Sequence, residues 1–74
     1  MNRTLTICWQ EHNGIGLLMA TDDEGSTIGQ VEHADPINAG TDSDQIAAIV
    51  CQAIGARPVN VTHDRDTIFV EIAD

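Results

Sequence analysis

The sequence predicts an α+β domain with one five-stranded antiparallel sheet, in the order βββαββ, and one amphipathic helix packed on one face. Three observations lead to this prediction. Short runs of alternating apolar side chains, separated by turn residues, are typical of antiparallel strands. One segment, at 42–55, has helical apolar spacing instead. The 74 residues, 1–74, accommodate one domain, and one helix on one sheet face buries both apolar surfaces economically.

Three strands are predicted before the helix. The segment "TLTICWQE" alternates Leu5, Ile7 and Trp9 with polar or small residues, which indicates a half-buried strand with these three in the core. The residues "HNG" form a hairpin turn, since Asn-Gly readily adopts positive φ, and "IGLLMAT" is the second strand. The turn "DDEG" leads to a weaker third strand, "STIGQVE". Pro36 and Gly40 then make "HADPINAG" a loop.

The predicted helix, about 42–55, carries an apolar stripe at the spacing i, i+3, i+4, i+7, i+8. The stripe consists of Ile46, Ile49, Val50, Ala53 and Ile54, of which we expect all but the alanine to be clearly buried. Thr41 or Asp42 caps the start, and Gln45 follows Asp42 by three residues, as in a capping box. Gly55 is a natural C-terminal stop.

Two further strands complete the sheet. They are "VNVTH" and "TIFVEI", joined by "DRD" as a hairpin, with Pro58 acceptable at the start of the first. The sheet face away from the helix is predicted to carry Thr4, Thr6, Cys8, Asn60, Thr62 and Glu71. Leu18 and Phe69 are expected on that face too, either as a contact or dimer patch or as scattered surface residues.

The charge balance limits the classes of function. There are twelve Asp or Glu residues against three Arg or Lys residues, which gives a formal net charge of -9. Direct binding to DNA, RNA or an anionic membrane is not expected, because neutralising phosphates requires cations. Basic protein partners are favoured instead.

Cellular location is predicted from what the sequence does not contain. Cys8 and Cys51 do not make a disulfide framework, and "MNRTLTICWQ" does not have the regions of a signal peptide. No apolar run approaches the length of a transmembrane helix. We therefore expect a cytoplasmic protein with reduced thiols.

Connectivity predicts where the acidic residues gather. Because only a few residues join the helix to the fourth strand, the helix start lies at the same end of the domain as the end of that strand. Four aspartates are therefore expected close together: Asp42, Asp44, Asp64 and Asp66. If the helix is also antiparallel to the third strand, the same end gains Glu11, Glu32 and Asp35. Arg3 and Arg57 then lie at the other end. Helix capping and turn formation explain part of this pattern, but not the scarcity of compensating bases.

No constellation of residues predicts catalysis. His12, His33 and His63 are expected at the acidic end, but their spacing matches no metal motif, so we expect no metal site. Cys8 in mid-strand and Cys51 on the helix flank are interpreted as semi-buried fillers rather than nucleophiles. The segments "TDDEGS" and "GIG" make neither a calcium loop nor a phosphate-binding loop. We expect no enzyme and no cofactor.

The small size, the acidity and the loops "TDDE", "TDSD" and "HDRD" resemble those of anti-CRISPR proteins, the phage-encoded inhibitors of bacterial defence. The resemblance implies a nucleic-acid mimic that occupies the basic channel of a CRISPR effector complex and blocks target DNA in the host cytoplasm. The seven acidic residues named above would then bind the partner, and the protein would be a monomer or weak dimer.

A second resemblance is to the HicB-type antitoxin fold. Three strands, a loop with "GTDSD" and a helix follow the order of that fold. This resemblance implies an antitoxin-like or structural module that acts by dimerising through its sheet. Both alternatives remain open from the sequence.

Overall fold

Five antiparallel strands and one helix make up the computed structural model, which describes residues 2–73. The elements are β1 (Asn2–His12), β2 (Ile15–Thr21), β3 (Thr27–Glu32), α1 (Ser43–Ile54), β4 (Arg57–Asp64) and β5 (Thr67–Ala73). The strand order in the sheet is β3-β2-β1-β5-β4, and each neighbouring pair is antiparallel. The predicted α+β fold with the order βββαββ is therefore confirmed.

Helix α1 begins and ends at the signals that the sequence contains. Asp42 is the N-cap, and its Oδ1 accepts a hydrogen bond from the backbone N–H of Gln45 at 3.2 Å. At the other end Gly55 adopts the left-handed conformation with φ 74°, and the backbone N–H of Ala56 donates to the carbonyl of Cys51 at 2.9 Å. Of the two predicted caps, Asp42 is the one used.

The core lies between α1 and one face of the sheet. Its fully buried apolar residues are Leu5, Ile7, Leu18, Ala20, Ile37, Ile46, Ala47, Val50, Cys51, Ile68, Val70 and Ile72. Trp9 is partly buried against them, on the face that the sequence predicted. The absence of any buried polar or charged residue within residues 2–73 means that apolar packing carries the core.

The buried side of α1 differs from the predicted stripe. Ile46 and Val50 are buried as expected, but Ile49 is only half-buried and Ala53 is exposed. Ala47 and Cys51 are buried in their place, so the core-facing side is rotated by roughly 60° at 100° per residue. Because Ala47 and Cys51 are small, the helix can lie close to the sheet on this side. Cys51 is therefore wholly buried, and not semi-buried on the flank as predicted.

One residue of β2 lies on the opposite face from the one predicted. Leu18 pairs with Trp9 across the ladder and is fully buried on the helix side. The cause is the two-residue Asn13-Gly14 turn, with φ values of 53° and 81°, which pairs His12 with Ile15 and so fixes the register of β2. The face away from α1, called the outer face from here on, therefore carries Ile15, Leu17 and Met19.

The remaining predictions for the outer face are correct. Phe69 lies there, half-buried, opposite Thr6 on one side and Thr62 on the other. The backbone of α1 approaches the edge strands β3 and β4 more closely than the central strand β1. The sheet therefore curves around the helix, and the outer face is convex.

Candidate protein-binding surface at the acidic end

Strand directions bring four chain segments to one end of the sheet. Strands β1, β3 and β4 run in the same direction, because each is separated from the next by one antiparallel strand. Helix α1 runs back from the end where β3 stops, because β4 starts again at the opposite end shortly after Gly55. The β1–β2 turn, the 33–42 loop, the first turn of α1 and the β4–β5 turn consequently share one end.

The predicted site residues all lie at this end, and all are exposed. They are Glu11, Glu32, Asp35, Asp42, Asp44, Asp64 and Asp66, and together they define what we call the acidic end. Arg65 in the β4–β5 turn is the accompanying arginine, while Arg3 and Arg57 lie at the opposite end, next to the start of β1 and β4. The connectivity argument therefore predicted the placement, and the role of these residues in partner binding stays a prediction.

Most carboxylates of the acidic end have no partner among the residues that the structure describes. Asp42 caps α1, and Asp66 Oδ1 accepts a hydrogen bond from the Thr67 hydroxyl at 3.3 Å. Within residues 2–73 the other five make no side-chain hydrogen bond, and no ion pair joins Arg65 to any of the seven. Exposed charges of one sign, left without counterions from the protein, create a negative potential that reaches about 8 Å into solvent at physiological salt.

The loop that carries two of these acids is anchored to the sheet. Trp9 Nε1 donates a hydrogen bond to the carbonyl of His33 at 2.8 Å, and the His33 N–H donates to the carbonyl of Gly16 at 2.9 Å. A Cβ at Gly16 would overlap the His33 carbonyl and approach the indole of Trp9 to 2.7 Å. Only glycine therefore permits this close approach, and the loop presents Asp35 and Asp42 from a fixed position.

Sequence reasoning missed the turn that shapes this loop. The side chain of Asn38 accepts a hydrogen bond from the Gly40 N–H, and the Thr41 hydroxyl accepts one from the Asn38 N–H, both at 2.9 Å. The signal was present in "NAGT", because Asn and Thr side chains commonly bond to backbone two or three residues away. The turn leads the chain directly into the cap at Asp42.

An open groove of about 500 Å³ lies between the loop and the start of α1. Asp35 and Asp42 line it together with His33, Pro36 and Ile46. Two carboxylates in an open, largely polar groove suit a cationic side chain, whose charged group can pair with them. The groove, like the surface around it, therefore favours binding of an arginine or lysine side chain.

The three histidines reach the acidic end but do not form a cluster. Among residues 2–73, no three His, Cys, Asp or Glu side chains are arranged to hold a metal ion. His63 Nε2 lies 2.8 Å from the carbonyl oxygen of Arg65, so this ring supports the β4–β5 turn. The absence of a metal site in the working protein stays a prediction.

The cysteines differ in their surroundings. Burial raises the pKa of the Cys51 thiol, since the thiolate would lose its hydration in the core. Cys8 is half-buried on the outer face. A raised pKa disfavours the nucleophilic thiolate, which agrees with a packing role for Cys51.

No helix within residues 2–73 combines the length and the apolar character that crossing a membrane requires. Comparisons with protein-family models, with curated proteins and with solved structures found no match to this chain.

Proposed function

We propose that this protein is a non-enzymatic inhibitor that binds the basic nucleic-acid-binding site of a protein partner. On this proposal it acts as anti-CRISPR proteins of the mimic type do, and the partner is a CRISPR effector complex. The observation that carries the proposal is the gathering of seven exposed carboxylates at one end of the domain, accompanied by one arginine.

Charge density supports the comparison with nucleic acid. The molecule measures 37 × 23 × 20 Å, and the eleven residues of β1 account for the longest dimension, so the acidic end covers roughly the two shorter ones. Duplex DNA 23 Å long carries roughly 14 phosphates, of which about half face one side. Seven carboxylates on a surface of this size are therefore comparable in number to the phosphates that a protein meets on one side of a duplex.

The opposite end of the domain supplies an internal contrast. Its β2–β3 turn contains Asp22, Asp23 and Glu24, but Arg3 and Arg57 lie at that end too. Asp22 Oδ1 accepts hydrogen bonds from the N–H groups of Glu24 and Ser26, both at 2.9 Å. At this end one aspartate stabilises the turn, and two arginines offset part of the negative charge. The acidic end is therefore the better candidate for a mimic surface.

Competition with DNA tests the proposal. The purified protein is titrated into binding reactions between labelled target DNA and CRISPR effector complexes of different types. We expect the apparent Kd of one effector for DNA to rise in proportion to inhibitor concentration, and excess DNA to displace the bound inhibitor. Unchanged DNA binding across the panel, or a ternary complex of effector, DNA and this protein, would contradict the proposal.

The second candidate is an antitoxin-like or structural module that dimerises through its sheet. The half-buried apolar residues of the outer face favour it. Sedimentation velocity distinguishes the two, because the module requires a stable dimer at micromolar concentration, whereas the inhibitor works as a monomer or at most a weak dimer.

A further inference from the structure

Strand β2 is apolar on both of its faces. Gly16, Leu18 and Ala20 face the helix, whereas Ile15, Leu17 and Met19 face outward. An antiparallel sheet with one solvated face normally alternates apolar and polar side chains, and a strand that is apolar on both faces is typical of a sheet covered on both sides. Within residues 2–73 nothing covers the outer side of β2, so its sequence implies a partner there.

The outward residues of β2 belong to one continuous patch. Met19 lies directly opposite Cys8 on β1, and Phe69 on β5 is the diagonal neighbour of Cys8. Leu17, Met19, Cys8 and Phe69 are each half-buried, while Ile15 at the end is 48% exposed. We call these five residues the outer stripe.

Charges beside the outer stripe indicate the kind of partner. Glu32 pairs directly with Leu17 across the β2–β3 ladder, and Asp64 and Glu71 lie farther across the same face. The arginine of this face, Arg57, is on edge strand β4 at the far end from Leu17. A partner whose apolar centre is flanked by lysine or arginine therefore complements this surface.

A second copy of the chain fits this surface poorly. Two copies that stack by their outer faces would bring together molecules with a net charge of -9 each, and carboxylates on both sides would flank the contact. An anionic membrane surface is disfavoured by the same charge.

The dimensions of the stripe favour a single helix as its occupant. The stripe extends over three neighbouring strands, β2, β1 and β5. Because strands are about 4.8 Å apart, it is about 10 Å wide, which is roughly the diameter of one helix. From Ile15 to Met19 the stripe runs about 14 Å, which corresponds to between two and three helical turns.

We propose that the outer stripe binds a basic amphipathic helix of the partner protein, an inference that rests on the proposed function because it concerns the same partner. The helix places its apolar side on Leu17, Met19 and Phe69, and its basic flank reaches Glu32. Glu32 and Asp64 belong both to the acidic end and to the outer face, so one continuous surface binds the partner. The acidic end accelerates association, and the stripe slows dissociation.

Two peptides of identical composition test this inference. Each is about 18 residues of Leu, Lys and Ala, long enough for five helical turns. One sequence places the leucines on one helical face, and the other is a scrambled order with the same charge. Isothermal titration calorimetry at several temperatures measures the affinity and the heat-capacity change. We expect roughly tenfold tighter binding of the amphipathic peptide and a more negative heat-capacity change, because apolar surface is buried.

Two variants test whether the outer stripe causes the preference for the amphipathic peptide. Leu17→Thr with Met19→Thr keeps residues suited to strands and should make the two peptides bind equally. Val59→Thr is the matched control, because Val59 is an exposed apolar residue on β4, 52% exposed, outside the stripe. It should keep the preference. Equal binding of both peptides to the unmodified protein would overturn the inference without use of any variant.

A third variant separates this inference from the proposed function. Asp35→Lys with Asp66→Lys changes the acidic end outside the stripe and should weaken both peptides equally. If this double variant binds both peptides as tightly as the unmodified protein does, the proposed function of the acidic end fails. A remaining preference for the amphipathic peptide would still support binding at the outer stripe. A dimer in sedimentation velocity that disappears on Leu17→Thr with Met19→Thr would overturn the inference in favour of a second copy.

Discussion

At the residue scale, two hydrogen bonds of His33 hold the 33–42 loop in place: its carbonyl accepts from Trp9 Nε1, and its N–H donates to the Gly16 carbonyl. Replacing Gly16 by Ala forces the loop away from β2 or displaces the Trp9 ring. We expect a loss of about 1–3 kcal/mol in the free energy of unfolding, measured by urea denaturation. Gly40→Ala is the matched control, since a Cβ there meets its nearest atom, Asn38 Oδ1, at an ordinary 3.4 Å. Equal losses of stability in Gly16→Ala and Gly40→Ala would show that the close approach of the loop to Gly16 does not stabilise the protein.

The buried thiol of Cys51 makes stability depend on alkaline pH. Because burial raises its pKa from the ordinary value of 9.0, the folded state resists ionisation that the unfolded state permits. The stabilising contribution is therefore complete below pH 9.0 and is lost as pH rises through the higher folded pKa. Urea unfolding between neutral pH and about pH 10 should show this decline in the unmodified protein and in Cys8→Ser. A decline of the same size in Cys51→Ala would contradict it.

At the scale of the element, the rotation of α1 has a direct consequence for stability. Ile46 is 2% exposed, while Ile49 is half-buried, so the same substitution at each position tests which side packs. Ile46→Ala should lower the free energy of unfolding by about 2–4 kcal/mol, and Ile49→Ala by roughly half as much. Chemical denaturation measures both. An equal or larger loss for Ile49→Ala would contradict the rotation of α1 and support the apolar stripe predicted from the sequence.

The ends of the helix and strands could be predicted from local chemistry. The sides that face the core could not, because they depend on packing between distant parts of the chain. Asp42, Gly55 and Asn13-Gly14 act through bonds and φ angles of their own segments, so their roles could be inferred directly. The choice of Ala47 over Ile49 for the core depends on how the curved sheet meets the helix. The side of Leu18 depends on the register that the first hairpin sets. The acidic end was predictable because connectivity alone fixes which segments meet. The outer stripe was not, because its prediction requires knowledge of the β1–β2 register.

At the scale of the whole molecule, the uneven placement of charge is the feature that the proposed function explains. Asp64 and Asp66 lie at an exposed turn, so replacing both by Lys should change the free energy of unfolding by less than about 1 kcal/mol. Asp23→Lys with Glu24→Lys produces the same change in net charge at the opposite end of the domain. Both pairs should keep the circular dichroism spectrum and thermal transition of the unmodified protein.

The comparison of these two charge reversals in the DNA-competition assay tests the central claim most directly. Inhibition is measured across a range of salt concentrations, because steering between exposed charges weakens as salt rises. We expect Asp64→Lys with Asp66→Lys to weaken inhibition by about tenfold or more at low salt, chiefly through slower association, and by less at high salt. Asp23→Lys with Glu24→Lys should retain most of the inhibition. Equal losses would mean that net charge alone matters, and no loss in either would mean that the acidic end does not bind the partner.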